Sequence, residues 1–221
     1  MLSLAIEMLA VRYPGLPVPA LDIGMLALEA GARVALTGPS GSGKTTFINI
    51  VTGMERASAG SVKWNGDDLA RLPEGRRDRW RARNVGLIMQ EFHLFPGMSA
   101  EANVLLPQRL SRFRLPAETR LRGLELLKQV GIERPDQPVE TMSRGQMQRV
   151  AVARALVGNP GLIVADEPTA SLDAESGAAV AELLLELAGE TGATLIVATH
   201  DERLTGRLGR VLRLENGRLA A

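Results

Sequence analysis

Residues Gly38-Pro39-Ser40-Gly41-Ser42-Gly43-Lys44-Thr45 constrain this chain more than any other stretch of it. The spacing is glycine, four residues, glycine, lysine and a hydroxyl residue, with Thr46 next in line. Glycines let successive backbone N–H groups converge on one point without side-chain collisions. A short apolar strand, Arg33 to Thr37, runs into the loop, and Thr45 to Met54 reads as a helix ended by Gly53. Strand, glycine loop and helix N-terminus in that order make an anion cradle, because the helix dipole adds positive potential where the amides converge. The pattern is that of a phosphate-binding loop, or P-loop. Lys44 is placed to neutralise β- and γ-phosphate charge, and Thr45 to offer a hydroxyl to Mg²⁺.

A P-loop needs a parallel sheet behind it, and the chain supplies the pattern for one. Before the loop, Leu2 to Val11 and Asp22 to Leu28 read as strands. After it come strands at Ser61 to Trp64, with an Asn65-Gly66 turn, and at Val85 to Met89. From about Ser99 to Asn159 the signals turn helical: Leu121, Leu124 and Leu127 follow helical spacing, and Gln146 to Val157 is a second helix. The alternation then returns with strand Leu162 to Ala165, helix Ala178 to Ala188, strand Thr194 to Ala198, and a closing hairpin at Val211 to Leu214 and Asn216-Gly217. The expected fold is α/β with a mostly parallel sheet, interrupted by a helical insertion.

Polar residues stand where these strands end. Leu162 to Ala165 runs into Asp166-Glu167. Asp166 is suited to hold Mg²⁺ directly or through water, and Glu167 to polarise an attacking water as general base. His200 follows Thr194 to Ala198: it either donates to a γ-phosphate or is an ordinary polar strand end. Gln90 ends Val85 to Met89 and either touches Mg²⁺ and its water or caps a loop.

Composition removes several alternatives. There is no cysteine, and His93 and His200 are the only histidines, which rules out thiolate chemistry and a histidine-rich metal site. Of 26 cations only Lys44, Lys63 and Lys128 are lysines, so one of the three sits in the loop. A net charge of +1 gives no reason to expect a nucleic-acid partner. No apolar run approaches the ~20 residues of a membrane span, and Met1 to Val11 lacks the basic flank and cleavage site of a signal peptide. A cytoplasmic protein is expected, acting at a membrane only through a partner.

Taken together and in order, these strand ends resemble the ATP-binding cassette (ABC) ATPases over nearly the whole chain. Gly38 to Thr46 is similar to their Walker A loop, Gln90 to the Q-loop, and Ser143-Arg144-Gly145-Gln146 to the signature motif. Asp166-Glu167 is similar to Walker B with its glutamate, Ser171-Leu172-Asp173 to the D-loop, and His200 to the switch histidine. The resemblance implies one cassette: a nucleotide-binding core, with an N-terminal antiparallel part, over 1–90 and 160–221, and a helical subdomain over 91–159. It implies ATP and Mg²⁺ as ligands and a head-to-tail dimer. Each ATP would then lie between the loop of one copy and Ser143 to Gln146 of the other. Tyr13 stands where the family carries an aromatic that stacks on adenine; the alternative is a packed tyrosine in a proline-rich turn. One departure is plain: the usual signature reads Leu-Ser-Gly-Gly-Gln, and this chain has Met142 and Arg144 at the first and third positions.

The stretch from Gln90 to Pro107 resembles the lipoprotein-releasing and macrolide-export group, whose cassettes pair with separate membrane subunits. That implies an integral membrane partner and a peripheral place on the cytoplasmic face. Phe92, Leu94, Phe95 and Met98 either floor a groove for that partner or form core. Arg71, Arg76, Arg77, Arg79, Arg81 and Arg83 read as a solvated helix face, with anionic headgroups or the partner as alternatives. A soluble cassette acting as a regulatory or assembly clamp is the alternative function.

Overall fold

The structure is a computed structural model that describes residues 1–220. Its elements are β1 (Leu4–Val11), β2 (Leu21–Leu28), β3 (Arg33–Thr37), α1 (Lys44–Val51), β4 (Ala59–Trp64), β5 (Asp67–Asp68), α2 (Glu74–Asn84), β6 (Val85–Ile88), α3 (Ala100–Ser111), α4 (Ala117–Gln129), a 3₁₀ turn (Val139–Thr141), α5 (Arg144–Leu156), β7 (Leu162–Asp166), α6 (Ala174–Thr191), β8 (Thr194–Ala198), α7 (Glu202–Thr205), β9 (Arg210–Glu215) and β10 (Arg218–Leu219). They pack as two compact units, Met1–Arg81 with the segment from Gly192 onward, and Ala82–Thr191. The class is the expected one: parallel strands with helices, an antiparallel N-terminal part and a helical insertion.

In the first unit β2, β1, β4 and β5 form an antiparallel sheet in that order. Their inward residues, Leu4, Ile6, Leu9, Val11, Leu21 and Ile23, are buried at a period near two. Asn65 and Gly66 both take positive φ, 47° and 93°, as a tight hairpin turn requires. The parallel part has β3 between β8 and β9, with Val34 facing Ile196 on one side and Arg210 on the other.

Helix α1 reads Lys-Thr-Thr-Phe-Ile-Asn-Ile-Val, a β-branched run of poor helix propensity. Packing holds it: Phe47, Ile48, Ile50 and Val51 are buried, each worth roughly 1.5–3 kcal/mol of transfer free energy. Its last turn is pinned by Trp64, whose indole Nε1 donates to the Val51 carbonyl at 2.8 Å. Trp64 in turn stacks on Trp80 of α2 at 6.4 Å. The two tryptophans thus fix the far end of the helix that begins at the phosphate loop.

In the second unit β6 and β7 pair in parallel, Val85 beside Leu162 and Ile88 beside Ala165. Helix α5 is apolar almost all round from Val150 to Val157 and is accordingly buried. It lies so close to β6 that a Cβ on Gly86 would come within 2.4 Å of the Ala155 carbonyl oxygen. No helix among the described residues is long and apolar enough to cross a membrane.

Several element boundaries differ from expectation. Helix α5 starts at Arg144, two residues early, because Ser143 caps it. Helix α6 starts at Ala174 instead of Ala178, where the Asp173 carboxylate accepts from the Ser176 N–H at 2.9 Å. The arginine run is not a uniform solvated face either. Arg77 is buried, and Arg81 is tied to Asp78 and the Gly53 carbonyl, both at about 3 Å.

Candidate functional site

In the first unit, β3 delivers the chain to Gly38, whose φ of 145° suits only glycine. A Cβ there would sit 2.2 Å from the Leu214 carbonyl oxygen and 2.8 Å from Ser42 Oγ. The loop closes through a Ser42 N–H to Pro39 carbonyl bond of 3.1 Å. It is braced from outside by Gly217, whose N–H donates to the Ser42 carbonyl at 3.0 Å. The Lys44 ammonium folds back over the loop, donating to the carbonyls of Gly38 at 2.6 Å and Pro39 at 3.1 Å. Gly43, left-handed at φ 104°, precedes α1, and no side chain caps that helix. The Ser42 hydroxyl is buried with no hydrogen-bond partner. An open helix N-terminus, an ammonium and a buried hydroxyl without a partner together suit a polyanion. Thr45, the candidate cation ligand, is exposed in the first turn of α1.

Two further candidates lie in the same unit. Tyr13 is half-buried, and its hydroxyl feels Glu55 and Thr46. Burial, and then the Glu55 carboxylate, push its pKa up. His200 is exposed at the end of β8 and lines an open pocket of about 390 Å³ with Thr37, Gly38, Pro39, Arg213 and Glu215. The structure thus brings His200 beside the start of the phosphate loop.

The other candidates lie in the second unit. Buried strand β7 ends at Asp166, and Glu167 follows in the left-handed region at φ 47°, uncommon for a non-glycine residue. The turn is held by Gln148 of α5, fully buried, whose Nε2 donates to the Pro168 carbonyl at 2.7 Å. Gln90 is exposed beyond the end of β6, and its carbonyl accepts from Ser171 Oγ at 3.3 Å. Ser143 Oγ accepts from the Gln146 N–H at 3.2 Å, and Gln146 Oε1 from the Ser143 N–H at 2.9 Å. This reciprocal capping box puts the serine at the mouth of α5.

Arg144 turns its side chain onto its own chain. Its Nε donates to the Ser171 carbonyl at 3.0 Å, and its guanidinium lies 5.3 Å from the centre of the Phe92 ring. Further along α5, Arg154 donates to the carbonyls of Phe92 at 2.7 Å and His93 at 2.6 Å. Burial holds the Arg154 guanidinium pKa below its usual value. Two arginines of one helix therefore grip Phe92, one by its ring and one by its backbone. The four apolar residues after Gln90 divide accordingly: Phe92 is buried, Leu94 and Met98 are half-buried, and Phe95 is exposed.

Sequence reasoning missed Gly217, Gln148 and Arg154, because each acts through a backbone contact to a segment distant in sequence. The Asn216-Gly217 turn was legible as a hairpin, but nothing in its composition says that it braces Ser42.

Comparison with known proteins places these features in context. The ABC transporter family profile matches residues 22–170. The chain is 41% identical over 197 residues to the lipoprotein-releasing system ATP-binding protein LolD of Pseudomonas fluorescens, covering 89% of this chain and 86% of that one. It is 43% identical over 195 residues to the uncharacterised ABC transporter ATP-binding protein YbbA of Escherichia coli, covering 88% and 85%. Among solved structures it superposes with a TM-score of 0.88 and 32% identity on the ATP-binding cassette MJ0796, a dimer in a post-hydrolysis state bound to ADP and Pi. That match spans 99% of this chain and 97% of the other.

Proposed function

The chain belongs to the ABC transporter family, and from that membership we propose that it is the ATP-driven subunit of a transporter whose membrane-embedded part is a separate chain. It is an ATP-binding cassette and an ATPase. The subgroup we assign is that of its lipoprotein-releasing relatives, on the strength of 41% identity over 197 residues. Its place is then peripheral, on the cytoplasmic face, held by the membrane subunit.

The observation that carries the reading is Ser143 seated as the cap of α5. A helix mouth lined by a serine and by the amide of Gly145 is an anion site, and the phosphate loop already supplies one for its own ATP. A second anion site in the same chain makes sense when two copies face head to tail, each presenting Ser143 to the γ-phosphate held by the other. The dimeric state of the related cassette MJ0796 supports this arrangement.

The roles follow from chemistry. Lys44 and the loop amides hold the β- and γ-phosphates. Mg²⁺, when bound, neutralises developing charge on those phosphates. Thr45 and Asp166 are the residues that would hold it, with Gln90 touching it or its water; a metal of this kind takes few protein ligands beside substrate phosphates. Glu167 accepts the proton of the attacking water, and His200 donates to the γ-phosphate. Tyr13 offers its ring to the adenine.

Coexpression with a candidate membrane subunit tests the proposal. A stable complex with ATPase activity that is lost in Glu167→Gln supports it. Full activity as a free homodimer, with no membrane chain retained, instead supports the soluble clamp.

A further inference from the structure

The last turn of α3 and the loop that leads to α4 take no part in the site above, yet their surface is unusual. Phe113 is 109% exposed and Leu110 is 79% exposed. Phe113 is the most exposed of the large hydrophobic residues described, and Leu110 stands out in water three residues before it. Arg109, Arg112 and Arg114 flank them, and none forms an ion pair or side-chain hydrogen bond among the described residues. No acid occurs between Gln108 and Ala117; Glu118 follows in the first turn of α4, and Glu101 on α3 is bound to Arg120 at 2.6 Å. Three uncompensated charges therefore sit on one turn of a chain whose net charge is only +1.

We infer that this turn contacts an anionic lipid bilayer directly, with Arg109, Arg112 and Arg114 on the headgroups and Phe113 and Leu110 entering the acyl boundary. Charge complementarity selects an anionic surface. Protrusion selects a deformable one: a ring exposed on all sides suits a fluid layer that moulds around it, whereas a protein partner must offer a preformed pocket. The contact is additional to any membrane subunit. It gives the chain a lipid-facing point of its own, and vesicles without protein test it apart from the transporter reading.

The purified full-length chain should sediment with phosphatidylcholine vesicles containing about a third phosphatidylglycerol, and not with phosphatidylcholine alone. Binding should weaken steeply as salt is raised. Arg109→Glu/Arg112→Glu/Arg114→Glu should weaken partitioning on the order of a hundredfold, and Phe113→Ser about tenfold. ATPase activity of the free chain should stay at the wild-type level in both. In Phe113→Trp, tryptophan emission should shift to the blue on the same vesicles. Equal binding by wild type and the triple variant, or an unshifted emission in Phe113→Trp, overturns the inference. So does wild type that ignores the vesicles while Phe113→Ser loses a membrane subunit in detergent; that result assigns the turn to an acidic protein surface.

Discussion

The guanidinium of Arg144 stacks over the ring of Phe92 at 5.3 Å while its Nε bonds the Ser171 carbonyl. The residue that departs from the family's glycine is thus a strut between the signature helix, the segment after Gln90 and the turn after Glu167. Arg144→Ala and Phe92→Ala should be non-additive in stability, with a coupling of about 0.5–1 kcal/mol by double-mutant cycle in urea. Strict additivity would show that the stack contributes nothing.

Glu167→Gln should bind ATP and lower hydrolysis by roughly 10²–10⁴-fold, the usual worth of a positioned general base. Light scattering should show an ATP-dependent dimer that persists. Wild-type turnover in this variant removes Glu167 from the role of base.

Lys44 bonds the carbonyls of Gly38 and Pro39, and on the proposed reading those bonds are exchanged for phosphate oxygens. Lys44→Ala should weaken ATP binding about 10–100-fold, the value of one or two charge-assisted hydrogen bonds. Calorimetric titration with ATP measures it, and unchanged affinity would detach the ammonium from the phosphates.

Gly38→Ala places a methyl group 2.2 Å from the Leu214 carbonyl oxygen at a φ of 145°. The strain and the displaced backbone should cost about 3 kcal/mol. Denaturant unfolding should show a lower midpoint with an unchanged slope. A variant as stable as wild type would mean that β9 and the loop separate freely.

The raised Tyr13 pKa gives a pH effect with a definite sign. A group whose folded pKa lies above its unfolded one favours the protonated fold. That contribution is fully present below about pH 10, the unfolded value, and is lost as pH rises through the folded pKa. Wild type should therefore lose stability faster than Tyr13→Phe in alkaline melts. Parallel curves would place the hydroxyl in water.

What was legible in the sequence was local. The loop, the Asp166-Glu167 strand end and the Asn-Gly hairpins are written in residue types that few other conformations tolerate. The strands announced themselves because burial repeats at a short period along them. What was not legible joins distant segments through backbone atoms. Gln148 reaches Pro168 across 20 residues and Arg154 reaches His93 across 61, and a carbonyl acceptor leaves no trace in composition. The start of α5 was misplaced for a related reason: Arg144 and Gly145 look like loop until Ser143 and Gln146 are seen to cap each other.

Side chains cap α3 and α7, through Ser99 and Asp201, whereas α1, like α4, begins with no side-chain cap. On the proposed reading a phosphate group is the cap of α1, and the substrate doubles as a building material of the fold. Melting temperature then becomes a gauge of nucleotide supply. At a hundred times the Kd the expected gain is about 2.7 kcal/mol, so the chain stripped of nucleotide should melt earlier and be cut faster by protease than the ATP-loaded one.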